Sequence, residues 1–337
     1  MNASSSRAWV ARLPLVLALG LLSAAPAHAY ISCNAWMSDL NFGPVNPLAP
    51  GATDVSATLS YQCSSSAVFT TFNARLCFSI GEPGGGSTNP RLMSSGTNQL
   101  QFQLYQDAGR SAVWGSQFFG AFQPVTTVVT LRPGESTPAR AIPVYGRIWA
   151  NQNTAVPGNY LSTYRSADTG LTINESSLLA PYIVPSSCSN TVATTFPFTV
   201  SAVVEKRCEV TAGAASDISL GTVPASASNI PGSGSISVAC THTTPYNVGL
   251  RPSNGNTAGA GVMKASGSST DLVPYQFYQD ASMTRIWGNT ATPTSAGNGV
   301  SGTGTGSARS VPVHVKVPSA DFQPDSYSDT VTVIVNY

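Results

Sequence analysis

Two stretches of this chain are near copies of one another at one fixed offset. Gln103-Leu104-Tyr105-Gln106-Asp107, followed by Trp114-Gly115, recurs as Gln276-Phe277-Tyr278-Gln279-Asp280 followed by Trp287-Gly288, each pair 173 positions apart. The match continues with small insertions: Cys33 with Cys208, Cys63 with Cys240, Pro143-Val144 with Pro312-Val313, and Pro157-Gly158-Asn159-Tyr160 with Pro324-Asp325-Ser326-Tyr327. A repeat constrains the fold more than composition does, because one local solution has to serve twice. The 337 residues are therefore expected to form two domains of one design, with their border between Val204 and Arg207.

The local solution is a strand. Val55, Ala57, Leu59, Tyr61 and Cys63 alternate with Asp54, Ser56, Thr58, Ser60 and Gln62, which is the period-two pattern of a half-buried strand. Ile236, Val238 and Cys240 repeat it, as do Val331, Val333, Val335 and Tyr337. Helical periodicity is nearly absent, and turn residues are dense at Gly81 to Gly86 and at Asn298 to Gly306. The expectation is all-β: two tandem immunoglobulin-like antiparallel sandwiches of about seven short strands each.

The copies differ at their ends. After Tyr327 there is room for one strand, Thr330 to Tyr337, whereas after the equivalent Tyr160 about 45 residues remain in the first copy. These include Thr195 to Val204, with Phe196, Phe198, Val200, Ala202 and Val204 on one face. The second domain thus lacks a last strand that the first possesses. Such a sandwich exposes an apolar groove and unpaired edges, and donor-strand complementation from another chain closes it. The plainer alternative is a second domain that closes with fewer strands.

Residues 1–29 read as a secretory leader: Arg7 and Arg12, the apolar run Leu13 to Leu22, then Ala27-His28-Ala29 as a cleavage site, so that the mature chain starts at Tyr30. The apolar run is short of the roughly 20 residues that span a bilayer. Without the leader, 14 basic residues face 15 acidic ones, a net charge of −1. Only 9% of the chain is charged, against roughly 25% in ordinary globular proteins. That excludes the basic footprint of a nucleic-acid binder, a charge-driven disordered tail and Glu/Lys-rich heptads.

Six cysteines, Cys33, Cys63, Cys77, Cys188, Cys208 and Cys240, remain in the mature chain. An even number in an exported protein indicates disulfides, with 15 connectivities open. Equivalent cysteines should pair alike, giving Cys33–Cys63 and Cys208–Cys240 and leaving Cys77–Cys188. No C-x-x-C occurs, and the mature chain has only His242 and His314, so no metal site is expected. The glycine-rich run at Glu82 to Gly86 lacks the G-K-[ST] ending of a P-loop. The first domain holds no histidine to serve a nucleophile, and Asp168 and Glu175 read as solvated loop charges. Neither an enzyme nor a cofactor is expected.

The order of these elements carries a resemblance. Cys33, Cys63, Arg91-Leu92-Met93, Leu104-Tyr105-Gln106-Asp107, Trp114-Gly115, Val144-Tyr145-Gly146 and Gly158-Asn159-Tyr160 resemble the spore coat protein U domain family. The second copy departs at Val313-His314-Val315 and at Asp325. Within that family, a two-domain exported chain is similar to the tip adhesins of archaic, Csu-type chaperone–usher pili. The resemblance implies an amino-terminal adhesin domain over 30–204 and a carboxy-terminal pilin domain over 205–337. It also implies a periplasmic pilus chaperone, an outer-membrane usher and a next pilin subunit as partners, with delivery through the periplasm to the cell surface. Cys33 follows Tyr30 by three residues, which leaves no donor extension and points to the pilus tip. The edge expected to meet chaperone or donor strand is Val331, Val333, Val335 and Tyr337.

An adhesin needs exposed loops that are apolar without strand alternation. Three candidates stand out in the first domain: Ser116 to Gln123 with Phe118, Phe119 and Phe122; Gln152 to Pro157 with Ala155 and Val156; and Ser177 to Pro185 with Leu178, Leu179, Tyr182, Ile183 and Val184. Exposed apolar patches mark interaction sites, and the resemblance implies attachment to abiotic surfaces and biofilm formation through hydrophobic loops. Two alternatives keep the fold: a glycan-binding lectin-type adhesin, and a secreted coat-layer structural protein.

Overall fold

The structure, a computed structural model, describes residues 30–83, 89–118 and 120–337; the expected leader and Phe119 lie outside the described residues. The first sandwich is built from β1 (Ile31–Met37), β2 (Leu40–Val45), β3 (Thr53–Ser65), β4 (Phe72–Ile80), β5 (Arg91–Ser95), β6 (Asn98–Tyr105), β7 (Val125–Leu131), β8 (Arg140–Ile148), β9 (Gly158–Tyr164), β10 (Thr169–Glu175), β11 (Val192–Thr194) and β12 (Phe198–Val204). One sheet runs β1-β3-β8-β6-β5-β9-β12-β2 and the facing one β11-β10-β4-β7. All these pairings are antiparallel except β12 with β2, which is parallel.

The alternation in β3 explains its place: Ala57, Leu59, Tyr61 and Cys63 are buried while Ser56, Thr58 and Gln62 face water. β12 is central rather than peripheral, and its Phe198, Val200, Ala202 and Val204 are all buried. Trp114 fills the middle of the core. Its indole N–H donates to the Phe78 carbonyl at 2.8 Å, and its ring is stacked by Phe196 and Phe198 at 6.1 and 6.2 Å. Burying an aromatic of this size removes enough apolar surface to contribute about 1.5–3 kcal/mol.

The second sandwich follows after Glu205, Lys206 and Arg207. It comprises β13 (Cys208–Thr211), β14 (Ser228–Cys240), β15 (Pro245–Arg251), β16 (Ala260–Ala265), β17 (Leu272–Tyr278), β18 (Val300–Thr303), β19 (Ala308–Ser319), β20 (Tyr327–Ser328) and β21 (Thr332–Asn336). Its sheets run β13-β14-β19-β17-β16-β20 and β18-β15-β21. Each strand of the first copy except β2, β11 and β12 has a counterpart in the same order, and β9 and β10, which those strands flank, have counterparts paired on one side alone among the described residues. Twelve and nine strands, among the described residues, exceed the expected seven or so. Segments between core strands, such as Leu40–Val45 and Val192–Thr194, themselves pair into the sheets.

Disulfides join Cys33 to Cys63, Cys77 to Cys188 and Cys208 to Cys240. The first and third link residues directly opposite on neighbouring strands. The second ties β4 to the long connection between β10 and β11.

Candidate functional site

Register fixes which loops share an end of the first sandwich. Ile31 pairs with Ser65, and Phe72 at the start of β4 pairs with Leu131 at the end of β7. Ser176, next after β10, exchanges hydrogen bonds with Asn73. The connections β3–β4, β7–β8 and β10–β11 therefore meet at one end, together with Tyr30. At the opposite end Thr53 pairs with Ile148, and Val204 pairs with Gly158 and leads into the second sandwich. The first group is thus the distal end of the molecule's first half.

The distal end is apolar. Phe69 is 95% exposed and Leu179 98%, and Val68, Leu178, Tyr182, Ile183 and Val184 are exposed beside them. The backbone beneath them is pinned inward by polar groups. Asn73 Nδ2 and Ser176 Oγ both donate to the Pro181 carbonyl, at 3.2 and 2.8 Å. Arg75 Nε donates to the Pro185 carbonyl at 2.6 Å, and Asn174 Nδ2 to that of Ser187 at 2.8 Å. Gly134 N donates to the Ala67 carbonyl at 3.2 Å. With these carbonyls satisfied from inside, the side chains between them project into water.

Of the three loops singled out in sequence, only Leu178 to Val184 lies here. Phe118, half exposed, and Phe122, partly buried, sit beside Ser79, whose hydroxyl accepts from Gln117 N at 3.3 Å. Ser79 is six residues along β4 from Asn73, roughly 20 Å at strand rise. The Phe122 carbonyl accepts from the Ser116 N–H and lies so close over Gly115 that a Cβ there would clash with it, so Phe122 is packed back against the start of its own loop.

Gln152 to Pro157 has to be corrected. Ala155 is 2% exposed within the core. The Tyr160 hydroxyl donates to the Val156 carbonyl at 2.7 Å and accepts from Val156 N at 3.2 Å, which folds the loop inward. Asn153 faces Ser307 of the second sandwich at 3.5 Å. Ala155 belongs to the core, and Val156, half-buried, has its backbone held by Tyr160, so the loop is not an exposed apolar surface. Conversely, Val68 and Phe69 escaped notice, although Ala67-Val68-Phe69 breaks the alternation that runs through β3.

The repeated motifs prove architectural. The Trp287 indole N–H donates to the Val248 carbonyl at 2.9 Å, as that of Trp114 does to Phe78. Asp107 accepts from Ser111 and Ala112, and Asp280 from Ser282, Thr284 and Arg285. These bonds hold both carboxyls below the usual range, most through Ala112 N for Asp107 and Ser282 for Asp280. Among the described residues, no cluster of three or more His, Cys, Asp or Glu is placed to hold a metal ion.

In the second sandwich the place of β12 is open. β9 lies between β5 and β12, but β20 has β16 alone as neighbour. Across from it, Ile218 and Leu220 rest over Gly232 of β14, where a Cβ would come within 2.8 and 2.7 Å of them. Leu40 and Phe42 of β2 lie over Gly146 in the same way. By register against the tryptophan-bonded strand, Val335 corresponds to Leu171. Leu171 is fully buried, while Val335 is only partly covered. Val331, Val333, Val335 and Tyr337, expected at an open edge, lie on or beside β21, which pairs with β15 as β10 pairs with β4 and is itself an edge of its sheet, with no counterpart of β11 beyond it among the described residues. The edge at the place of β12 belongs to Tyr327 and Ser328.

No curated protein sequence matches the chain significantly. Among solved structures it is similar to a chain of the CsuC–CsuE chaperone–tip adhesion subunit pre-assembly complex, from the archaic chaperone-usher Csu pili of Acinetobacter baumannii. That likeness has 15% identity, 91% of this chain and 100% of that one covered, and a TM-score of 0.50. It is also similar to the CupB6 tip adhesin from Pseudomonas aeruginosa, with 11% identity, 90% and 94% covered, and a TM-score of 0.37. The first likeness shows a shared two-domain all-β fold. The profile of the Spore Coat Protein U domain matches residues 18–165 and 194–334. With that profile matched once in each sandwich, the chain belongs to the Spore Coat Protein U domain family.

Proposed function

We propose that this chain is the tip adhesin subunit of a chaperone–usher pilus. Residues 1–29 are removed on export, 30–204 form the adhesin domain and 205–337 the pilin domain. The second domain is held by a periplasmic chaperone, passed to an outer-membrane usher and completed by a strand from the next pilin subunit. That strand lies between β20 and the segment of Ile218 and Leu220, in the place that β12 takes in the first domain. The adhesin domain then attaches cells to abiotic or host surfaces and seeds biofilm.

One observation carries this reading. The exposed apolar residues Val68, Phe69, Leu178, Leu179, Tyr182, Ile183 and Val184 gather at the end farthest from the domain that would join the fibre. Contiguous exposed apolar surface is costly unless it meets a partner. Leucine, isoleucine and valine dominate it and offer no ring face for a sugar, which favours apolar attachment over a lectin. The test replaces Phe69, Leu179 and Tyr182 with serine. Adhesion to plastic is expected to fall severalfold while secretion stays unchanged; full adhesion by an assembled variant overturns the proposal, and inhibition of the wild type by soluble sugars would turn it into a lectin.

A further inference from the structure

Glu175 holds the start of the described chain. This last residue of β10 accepts from Tyr30 N at 2.9 Å through Oε2 and from Ile31 N at 2.8 Å through Oε1. β1 and β10 belong to different sheets, so one side chain ties the sandwich's two layers together at the distal end. Tyr30 is fixed on two further sides. Its ring stacks on Phe72 at 4.7 Å and 11°, and its carbonyl accepts from Ser66 N at 2.8 Å.

Tyr30 is also the residue that follows Ala27-His28-Ala29. Hydrolysis there breaks the Ala29–Tyr30 amide with one water: Ala29 leaves as a carboxylate, and Tyr30 N takes protons to become an α-ammonium. A neutral donor thereby becomes a cation, already at hydrogen-bond distance from a carboxylate. We infer that leader cleavage is a structural maturation step, in which the new α-ammonium of Tyr30 forms an ion pair with Glu175 and locks the root of the β10–β11 connection.

The surroundings favour that partner. On β4, Arg75 spends its Nε on the Pro185 carbonyl. In the β7–β8 connection, which reaches Ser65 through the Glu135 carbonyl, the Glu135 carboxylate accepts from Arg132 N. Glu175 is the carboxylate that bonds to both Tyr30 N and Ile31 N. A charge-assisted bond is stronger and shorter than the neutral one it replaces. Ser176, next after Glu175, begins the loop that carries Leu178 to Val184. A chain still bearing residues before Tyr30 would continue from this same point as an uncharged amide. The inference rests on leader removal and not on the adhesive reading, so the two fail separately.

The test uses the full precursor, exported by a bacterial host. Sequencing of the secreted chain is expected to begin at Tyr30, and any other first residue overturns the proposal. The pH dependence of acylation of the α-amino group by an amine-selective reagent gives its midpoint. That midpoint is expected above the ordinary range of about 7.7–8.0 in the wild type, and back within it in Glu175→Gln. A wild-type midpoint inside that range overturns the proposal whether or not the variant folds. A chain retaining Ala29 ahead of Tyr30 is expected to melt at a lower temperature, and equal melting also overturns it.

Discussion

Cys77 and Cys188 join the buried middle of β4 to the connection that carries most of the exposed apolar residues, with Cα atoms 5.9 Å apart. The bond spans 111 residues of sequence and has no counterpart in the second sandwich. Replacing both cysteines with alanine is expected to cost about 2–4 kcal/mol of stability. It should also lower adhesion to plastic more than that loss explains at room temperature, because Leu178 to Val184 lose their anchor. Chemical denaturation and attachment of assembled cells read the two effects, and full adhesion by the destabilised variant would separate the bond from the site.

Arg91 is a second feature that only the first copy possesses. Its guanidinium is 1% exposed and its acceptors are neutral: Gln103 Oε1, the carbonyls of Gly81 and Trp114, and the Tyr164 hydroxyl. Its carbon also lies 5.8 Å from the Tyr164 ring centroid. Removing the guanidinium leaves buried neutral acceptors without their donor, which costs about 1–3 kcal/mol, so Arg91→Met should destabilise the first sandwich by that order. Arg91→Lys should recover only part of it, because an ammonium cannot reproduce the five-donor fork. Equal stability of wild type and Arg91→Met in denaturant would show that the bonds contribute nothing net.

Local pattern reveals the strands, and long-range register decides the site. The alternation through Leu59, Tyr61 and Cys63, and the inward face of Phe198 to Val204, are visible in sequence because period two is a local property. The cysteine pairing is legible because the repeat supplies a second instance. Ala155 misleads because an apolar residue in a turn looks exposed until the Tyr160 hydroxyl, from the next strand, draws the loop inward. Phe69 misleads in the other direction. It follows a long strand with no glycine or proline between, and only the lost alternation at Ala67-Val68-Phe69 marks where the strand ends. That Phe118 and Leu179 belong to different surfaces depends on where each loop meets β4.

Asp54 gives the first sandwich a pH-dependent contribution. Its carboxylate accepts from Arg147 Nε and NH2 at 2.7 and 2.8 Å, with Arg110 Nε 3.2 Å away. The Arg147 hydrogen bond, opposed by burial and helped by the charge of Arg110, holds the carboxyl below its usual value. A carboxyl depressed on folding stabilises the folded state above its unfolded value of about 3.9, and that contribution is lost as pH falls through the folded value. Asp54→Asn should therefore cost at most about 1 kcal/mol at neutral pH and nothing in strong acid. Urea midpoints at pH 7 and below pH 3 check this, and a difference that persists in acid would assign the loss to packing.

The open side of the second sandwich makes the strongest demand on a partner. In the first domain β12 is paired on both sides and buries four side chains. In the second, Ile218, Leu220, Tyr327, Val333 and Val335 are left only partly covered around the same place. Unpaired edges beside apolar side chains aggregate unless another strand is added. Residues 206–337 expressed alone are therefore expected to precipitate, and to stay soluble with a periplasmic chaperone or an extended peptide of alternating apolar residues. The peptide Phe198 to Val204 is a natural probe, because it fills the equivalent place in the same chain. Its expected orientation, antiparallel to β20 as β12 is to β9, can be read from spin labels placed at its two ends. Unaided folding to a cooperative, soluble state would mean that the second sandwich closes with the strands it has, and the donor-strand reading would fall with it.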